Sequence, residues 1–451
     1  MLKVTKDLPS LKEELKARGV EYLMASFADM HGVSKAKVVP LGHLEHMMSG
    51  SELYTGAALD GVPQDVSDEE VSARPDPASC IILPWQKNVA WFASNLWCGG
   101  KPFEACSRNI LTRAAKSAAD LGYVLNLGME PEFYVLKDTE AGPVPVSARD
   151  TLDKPCYDGY GVLHNIHWLS ELVEAMNELG WDVFSFDHED GNGQFELDFS
   201  FTDALTMADR YVFLRMMVNE IAQRHGYFAS WMPKPFANRT GSGAHYNMSL
   251  AGIDTGENLF VDRDDPRQCG LSKLGYQFVA GVLQHLPAIS AVVAPTVNSY
   301  KRLIKQGAMS GSTWAPIFVC YGNNNRTNAL RIPLGGGRVE LRAADASNNP
   351  YLGAAMVLSA GLEGIRNNLD PGEPRRENMY TMGDAELRSM GISLLPRNLA
   401  EALDAFEADP LSQEVMGQDM FKSYLGFRRD EWESYHNAVS DWERARYLKF
   451  F

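Results

Sequence analysis

Residues 128–133 read GMEPEF, inside the longer apolar stretch GYVLNLGMEPEFYVL at 122–136. The stretch suits a buried strand, yet it carries Glu130 and Glu132 two positions apart. Successive strand side chains point to opposite faces, so these two carboxylates share one. Carboxylates held so close repel, and one takes up a proton unless a positive charge stands between them. The stretch therefore predicts a strand whose polar face holds a cation.

The same alternation recurs three times. In GQFELDF (193–199), Glu196 and Asp198 share a face opposite Phe195, Leu197 and Phe199; in GAHYNMSL (243–250), His245, Asn247 and Ser249 alternate with Tyr246, Met248 and Leu250. In GGRVELRAA (336–344), Arg338, Glu340 and Arg342 alternate with Val339 and Leu341. Each has the period of a strand with one greasy face. A polar face that merely meets water is ordinary in antiparallel sheets. Four faces holding carboxylates, a histidine and arginines instead predict a lined cavity.

Convergence of Glu130, Glu132, Glu196, Glu340 and His245, joined by Glu189 from DHEDGNGQFE (187–196), gives five carboxylates and one imidazole. Oxygen-dominated shells suit hard divalent ions, Mg²⁺ or Mn²⁺, over zinc or copper. Six ligands suffice for two or more ions if phosphate and water complete the shells. NSYKRL (298–303) adds Arg302, and NNNRTNALRIP (323–333) adds Arg326 and Arg331. Arginine clamps carboxylate or phosphate through paired hydrogen bonds. Beside a hard-metal shell, these arginines point to an anionic substrate and phosphoryl transfer.

The rest of the chain frames this reading. Its 451 residues allow two domains, and 45% hydrophobic with 22% charged residues is ordinary for a globular protein. A formal charge of −16, from 58 acids and 42 bases, disfavours nucleic acid or an anionic membrane as partner. No signal-type N-terminus or uninterrupted bilayer-length apolar run stands out, so a cytoplasmic location is expected. Cys80, Cys98, Cys106, Cys156, Cys269 and Cys320 lack CxxC spacing and read as reduced thiols.

SLKEELKARGV predicts a helix from Ser10 to Gly19, and ILTRAAKSAADLG one that ends at Gly122. A domain boundary is placed near Lys101, giving domains 1–101 and 102–451, the second closing in a charged helical region from about Pro396. Strands and helices alternate without a βαβ rhythm, which indicates an α+β fold.

MEPEF, HExxxGQxE, TGSGAH, NSYKRL, NRTxxxRIP and RVELRxADxxxNPY occur in one order along the chain. In this the sequence resembles the glutamine synthetase family, bacterial dodecameric type, over nearly its whole length. The resemblance implies an N-terminal β-grasp domain and a catalytic domain with a curved antiparallel sheet surrounded by helices. It also implies a homo-oligomer, a dodecamer of two hexameric rings, with active sites between neighbouring subunits. Glu132, Glu189 and Glu196 match the ligands of one metal; Glu130, His245 and Glu340 match those of the other. Gly241, Arg302 and Arg342 match the glutamate-binding residues, and Arg326 the residue that faces the transferred phosphate. Asn247, Ser249, Arg331 and Arg338 fall where the family contacts ATP. The implied reaction makes γ-glutamyl phosphate from glutamate and ATP, after which an amine displaces phosphate, with Glu189 as the base.

The departures concern the amine. Thr55, in ELYTGAAL, stands where the family commonly has an ammonium-binding aspartate, and Trp314, in GSTWAP, replaces a second acid. An alkylammonium can rest against an indole face, a contact worth about 0.5–2 kcal/mol. Its free pKa is near that of lysine, about 10.4, so it must lose a proton before attacking. These changes imply a branch of the family that ligates methylamine to glutamate; ammonia, a larger amine or a polyamine is the alternative substrate, and a non-enzymatic scaffold the reading from another class. Asn247 also replaces a histidine, and Thr240 an Asn or Asp. PLGGGR lacks the end of a P-loop. His43 and His46, like His164 and His167, lack partner ligands. Tyr380 sits near a position modified in some family members, in a loop too different to carry that role.

Overall fold

Asp7, not Ser10, opens the first helix, which spans Leu8–Ala17: the Asp7 carboxylate accepts the Ser10 N–H at 2.9 Å, and Pro9 sits in the first turn. The expected start at Ser10 is therefore too late. The computed structural model describes residues 7–305 and 315–451, so Trp314 lies outside the described residues.

The first sheet comprises β1 (Tyr22–Ala28), β2 (Ser34–Pro40), β3 (Glu52–Tyr54), β4 (Val71–Pro75), β5 (Ile81–Ile82), β6 (Val89–Cys98) and β7 (Lys101–Pro102). Its spine runs β2-β1-β6-β4-β3, with β1 and β6 parallel. Leu11 and Leu15 of the first helix pack against Leu23, Ala25, Ala90 and Phe92. A helix on a mixed sheet is the arrangement that the β-grasp resemblance implies.

The second sheet comprises β8 (Tyr123–Lys137), β9 (Val144–Pro145), β10 (Val183–His188), β11 (Gln194–Phe199), β12 (Thr202–Asp203), β13 (Phe228–Ser230), β14 (Ala244–Gly252), β15 (Phe318–Asn323), β16 (Asn328–Ile332) and β17 (Val339–Leu341). Its order is β10-β11-β8-β14-β17-β16-β15. Every pair is antiparallel except β15 with β16, which makes the sheet mixed at that edge.

Pro131 sits inside the long central strand β8, where proline normally breaks a ladder. Glu132 donates its N–H to Gly243 O on the β14 side, so the nitrogen of Pro131 faces the other edge. There β12 pairs no further than Leu127 and β11 begins at Glu132. No ladder bond is lost, and the two glutamates keep one face.

The helix Lys273–Val293 is long and apolar enough to cross a membrane, but most of it is buried inside the fold. Gly281 lets it approach the helix Pro350–Arg366 closely, since a Cβ there would lie 2.0 Å from Ala360 O.

A cluster centred on the buried Arg108 joins the end of β4 to the helices Ser107–Ala119, Ala204–Arg224 and Pro350–Arg366. Arg108 donates to both carboxylate oxygens of Asp209 at 2.9 Å and to Asp76 at 2.8 Å, while Tyr351 donates to Asp209 at 2.7 Å. Asp209→Ala leaves a buried guanidinium without its main partner and should cost about 3–5 kcal/mol, read as a lowered denaturant midpoint. A midpoint within experimental error of the parent protein would show that the pin contributes nothing.

Candidate active site

Ladder register carries the predicted residues to one place. Asp187 pairs with Glu196 across β10–β11, and Glu196 with Glu132 across β11–β8. On the other side of β8, Glu130 pairs with His245; one row on, Asn247 pairs with Glu340, and Glu340 with Arg331. Paired residues in a sheet share a face. The four alternating segments thus present their polar faces to a common cavity of about 480 Å³.

Glu130, Glu132, Glu189, Glu196 and His245 line this cavity. Gly241, Arg302, Arg326, Arg331, Arg338 and Arg342 line it too, with Thr240. Glu340 lies just behind the wall, 1% exposed, and bonds Arg331 at 2.6 Å and also Arg342. Asn247 donates to Glu130 at 2.7 Å, and Ser249 is buried in β14; neither is among the lining residues. Thr55 is exposed on the first sheet, where its hydroxyl donates to Glu70 at 3.2 Å, and the single chain does not bring it to the cavity.

Two ligand groups form. Glu130, His245 and Glu340 offer atoms all within 4.8 Å of one another, and so do Glu132, Glu196 and His245. His245 faces both, with Nδ1 3.3 Å from Glu130 and Nε2 3.7 Å from Glu132. Glu189 lines the cavity outside these two groups. Carboxylates with one imidazole fit hard divalent ions.

The electrostatics point the same way. Burial, reinforced by the charge of Glu132, raises Glu189 to about 8 and pushes Glu196 well above the carboxylate range. Burial and Glu132 raise Asp187 to about 6; burial and Glu130 raise Asp198 to about 7. Glu340 is the exception: burial works to raise it, but Arg342, His245 and Arg331 hold it at about 2. For the acids on the β10–β11 side, burial and neighbouring carboxylates outweigh the positive groups near them, Arg338 for Asp198 and His188 for Asp187, an environment that suits a divalent cation.

A pH prediction follows for the protein stripped of metal with chelator. Groups whose folded pKa is raised bind more protons folded than unfolded, so their contribution is present at low pH and is lost as pH rises through the folded values. From the shifts of Asp187, Asp198 and Glu189, thermal midpoints should fall between about pH 4 and pH 8. Added Mn²⁺ should flatten that slope. A metal-free midpoint that rises across this window would contradict the electrostatic reading.

Glycine 243 explains the TGSGAH segment. A Cβ there would lie 2.7 Å from Arg302 Nη2, 2.9 Å from His245 Nε2 and 3.0 Å from Glu132 Oε1. Only a residue without a side chain lets these three groups meet. Arg302 itself is 4% exposed and donates to the carbonyls of Ala343 at 3.0 Å and Arg342 at 3.1 Å. Among the described residues it has no carboxylate within ion-pair distance, and burial lowers its pKa.

Sequence reasoning missed four lining residues: Ser185, Asp187, Cys156 and Tyr157. The first two alternate with Phe186 and His188 in SFDHE, a period-two signal that was available. Cys156 and Tyr157 precede the helix Gly159–Glu178 in irregular chain, where no period exists. Cys156 Sγ lies 4.0 Å from Glu189 Oε2; Tyr157 takes φ +63° and donates its N–H to His188 O at 2.8 Å.

Comparison with known proteins gives concordant results. The family profile "Glutamine synthetase, catalytic domain" matches residues 104–447. A glutamate–methylamine ligase of Methyloversatilis universalis is 42% identical over 97% of this chain and 98% of its own. A glutamine synthetase of Rhizobium leguminosarum bv. phaseoli is 38% identical over 95% of this chain and 96% of its own. A solved structure described as a GmaS/ADP complex superposes with a TM-score of 0.90 at 38% identity, covering 97% of this chain and 99% of that one.

Proposed function

This chain belongs to the glutamine synthetase family, and from that premise we propose that it is an ATP-dependent ligase joining methylamine to the γ-carboxylate of L-glutamate. The observation that carries the reading is the meeting of Glu130, Glu132, Glu196, His245 and Glu340 beside the buried Arg302. Similarity to a glutamate–methylamine ligase, with Thr55 in place of an acid, supports methylamine over ammonia.

Glu132, Glu189 and Glu196 would hold one Mg²⁺ or Mn²⁺, and Glu130, His245 and Glu340 another. Bound there, the ions neutralise charge on the phosphates of ATP and on the oxygens of the phosphoryl group in flight. The residues themselves do the rest. Arg302 and Arg342, with the open backbone at Gly241, hold glutamate by its carboxylates. Arg331 and Arg338, with Asn247 and Ser249 on the neighbouring strand, border the ATP side. Arg326, exposed at the rim, faces the transferred phosphate. An oxygen of the glutamate side chain bonds to the γ-phosphorus as the bond to ADP breaks, giving γ-glutamyl phosphate and ADP. Glu189 takes the proton from methylammonium; the amine nitrogen then bonds to the acyl carbon, and phosphate leaves. Trp314, outside the described residues, is assigned to the methyl group from the sequence alone.

Thr55 is remote from the cavity of its own chain and would meet an active site from a neighbouring subunit in the ring assembly we propose, two hexamers making a dodecamer. The exposed Trp442, Tyr447, Phe450 and Phe451 at the C-terminal end leave apolar surface for such contacts. Light scattering on the purified protein tests the mass. Six free cysteines suit the reducing cytoplasm, where we place the enzyme.

Phosphate release measured with glutamate, ATP and either methylamine or ammonium tests the substrate. We expect kcat/KM at least about tenfold higher for methylamine, about 1.4 kcal/mol of discrimination and within reach of one methyl group in a fitted pocket. Preference for ammonium would make the chain a glutamine synthetase, and preference for a longer amine would move it to polyamine-type substrates.

A further inference from the structure

Behind Glu189 lies a buried charged pair that the two-step reaction does not touch. His188 precedes Glu189 at the end of β10, so its ring points to the face opposite Asp187, away from the cavity. It is fully buried and packs edge-on against Phe195 at 5.2 Å. Its Nε2 lies 2.7 Å from Asp150 Oδ2, and its Nδ1 lies 2.7 Å from the backbone oxygen of Glu189. Both ring nitrogens meet acceptors, so both donate. Asp150 also accepts from Asn192 Nδ2 at 2.7 Å and from the Gly193 N–H at 2.6 Å. One carboxylate therefore grips the chain on both sides of Glu189.

Buried ion pairs are poor stabilisers, since apolar groups of similar size often do as well. This pair has a better-defined effect: it fixes the backbone that carries Glu189. Reacting groups need placement within fractions of an ångström, set by the residues that support them. We propose that Asp150 and His188 are positioning residues that hold Glu189 on the amine side of the cavity while γ-glutamyl phosphate waits for its nucleophile. The inference rests on the ligase reading of the site. With the pair loosened, Glu189 no longer receives the ammonium proton on time, and water takes the place of the amine. The water oxygen bonds to the acyl carbon, the bond from that carbon to the phosphate oxygen breaks, and glutamate and phosphate are released. ATP is then consumed without amide.

The test measures ADP and amide in the same reaction for full-length Asp150→Asn and His188→Gln. Amide formation should fall by about tenfold to a hundredfold, the size of effect expected from a small misplacement, and ADP formed per amide should rise to about three or more. KM for ATP should stay within about twofold. His188→Gln keeps one donor towards Asp150 and should fall between the parent enzyme and Asp150→Asn. A ratio of ADP to amide unchanged from the parent, however far both rates fall, would reduce the pair to a folding element and overturn the proposal. Should neither variant fold, Asn192→Ala, which removes one anchor and leaves the pair, must still raise the ratio; an unchanged ratio overturns the proposal equally. Absence of ADP formation by the parent enzyme with any amine would instead overturn the ligase reading itself.

Discussion

Glu132→Gln is expected to lower the rate of ADP formation by at least about 10²–10³-fold at saturating substrates, the loss typical when a group that stabilises transition-state charge is removed. The substitution is nearly isosteric, so its effect isolates charge. Glu132 Oε2 accepts the Gly243 N–H at 2.7 Å and Gln194 Nε2 at 3.3 Å, and Oε1 faces His245 at 3.7 Å. An amide oxygen in the place of Oε2 keeps both hydrogen bonds but brings no negative charge to a divalent ion shared with Glu196. The same charge helps raise Glu196, Glu189 and Asp187, so its removal should bring their titration back towards ordinary carboxylate values. The metal-free variant should therefore melt no lower than the metal-free parent at pH 8, even though it is inactive. Loss of activity with retained stability is the signature of a functional carboxylate. Activity within about tenfold of the parent would remove Glu132 from the metal site.

Arg302→Ala should raise KM for glutamate, with kcat/KM falling by on the order of 2–5 kcal/mol, roughly 30-fold to a few thousand-fold. Arg302 is a guanidinium held in the interior by two backbone carbonyls, with no carboxylate partner among the described residues. A buried cation without a counter-ion is costly, and an incoming carboxylate relieves that cost. Arg342 is a poorer probe, because it is paired with Glu340 and its removal would disturb a metal ligand as well. KM for ATP should change by less than about threefold in Arg302→Ala. Steady-state kinetics with each substrate varied in turn decides the matter: equal rises in both constants would mean that Arg302 shapes the fold and does not hold glutamate.

The polar faces of β8, β11, β14 and β17 were legible because a strand writes its facing into a period of two, and Glu130, Glu132, Glu196, His245 and Glu340 all obey it. Asp187 and Ser185 obey it too, in SFDHE, beside Glu189 of the motif. Cys156 and Tyr157 were beyond such reading, since they reach the cavity from irregular chain through a backbone bond to His188. Arg108 and Asp209 are 101 residues apart, and nothing local in either helix announces their pairing. The helix start at Ser10 failed for a smaller reason: two capping residues stood three positions apart, and the proline between them favours the earlier one. The bond from the Asn247 amide to Glu130 depends on cross-strand register and is not written in its own segment.

The proposed chemistry requires acidic side chains from separate strands to gather divalent ions for phosphoryl transfer. Crystals of the full chain grown with Mn²⁺ and a non-hydrolysable ATP analogue, measured at the manganese absorption edge, test it most directly. Two anomalous peaks per chain are predicted, one among Glu130, His245 and Glu340 and one beside Glu132 and Glu196. Well-ordered nucleotide with no manganese at either group would rule out both metal sites.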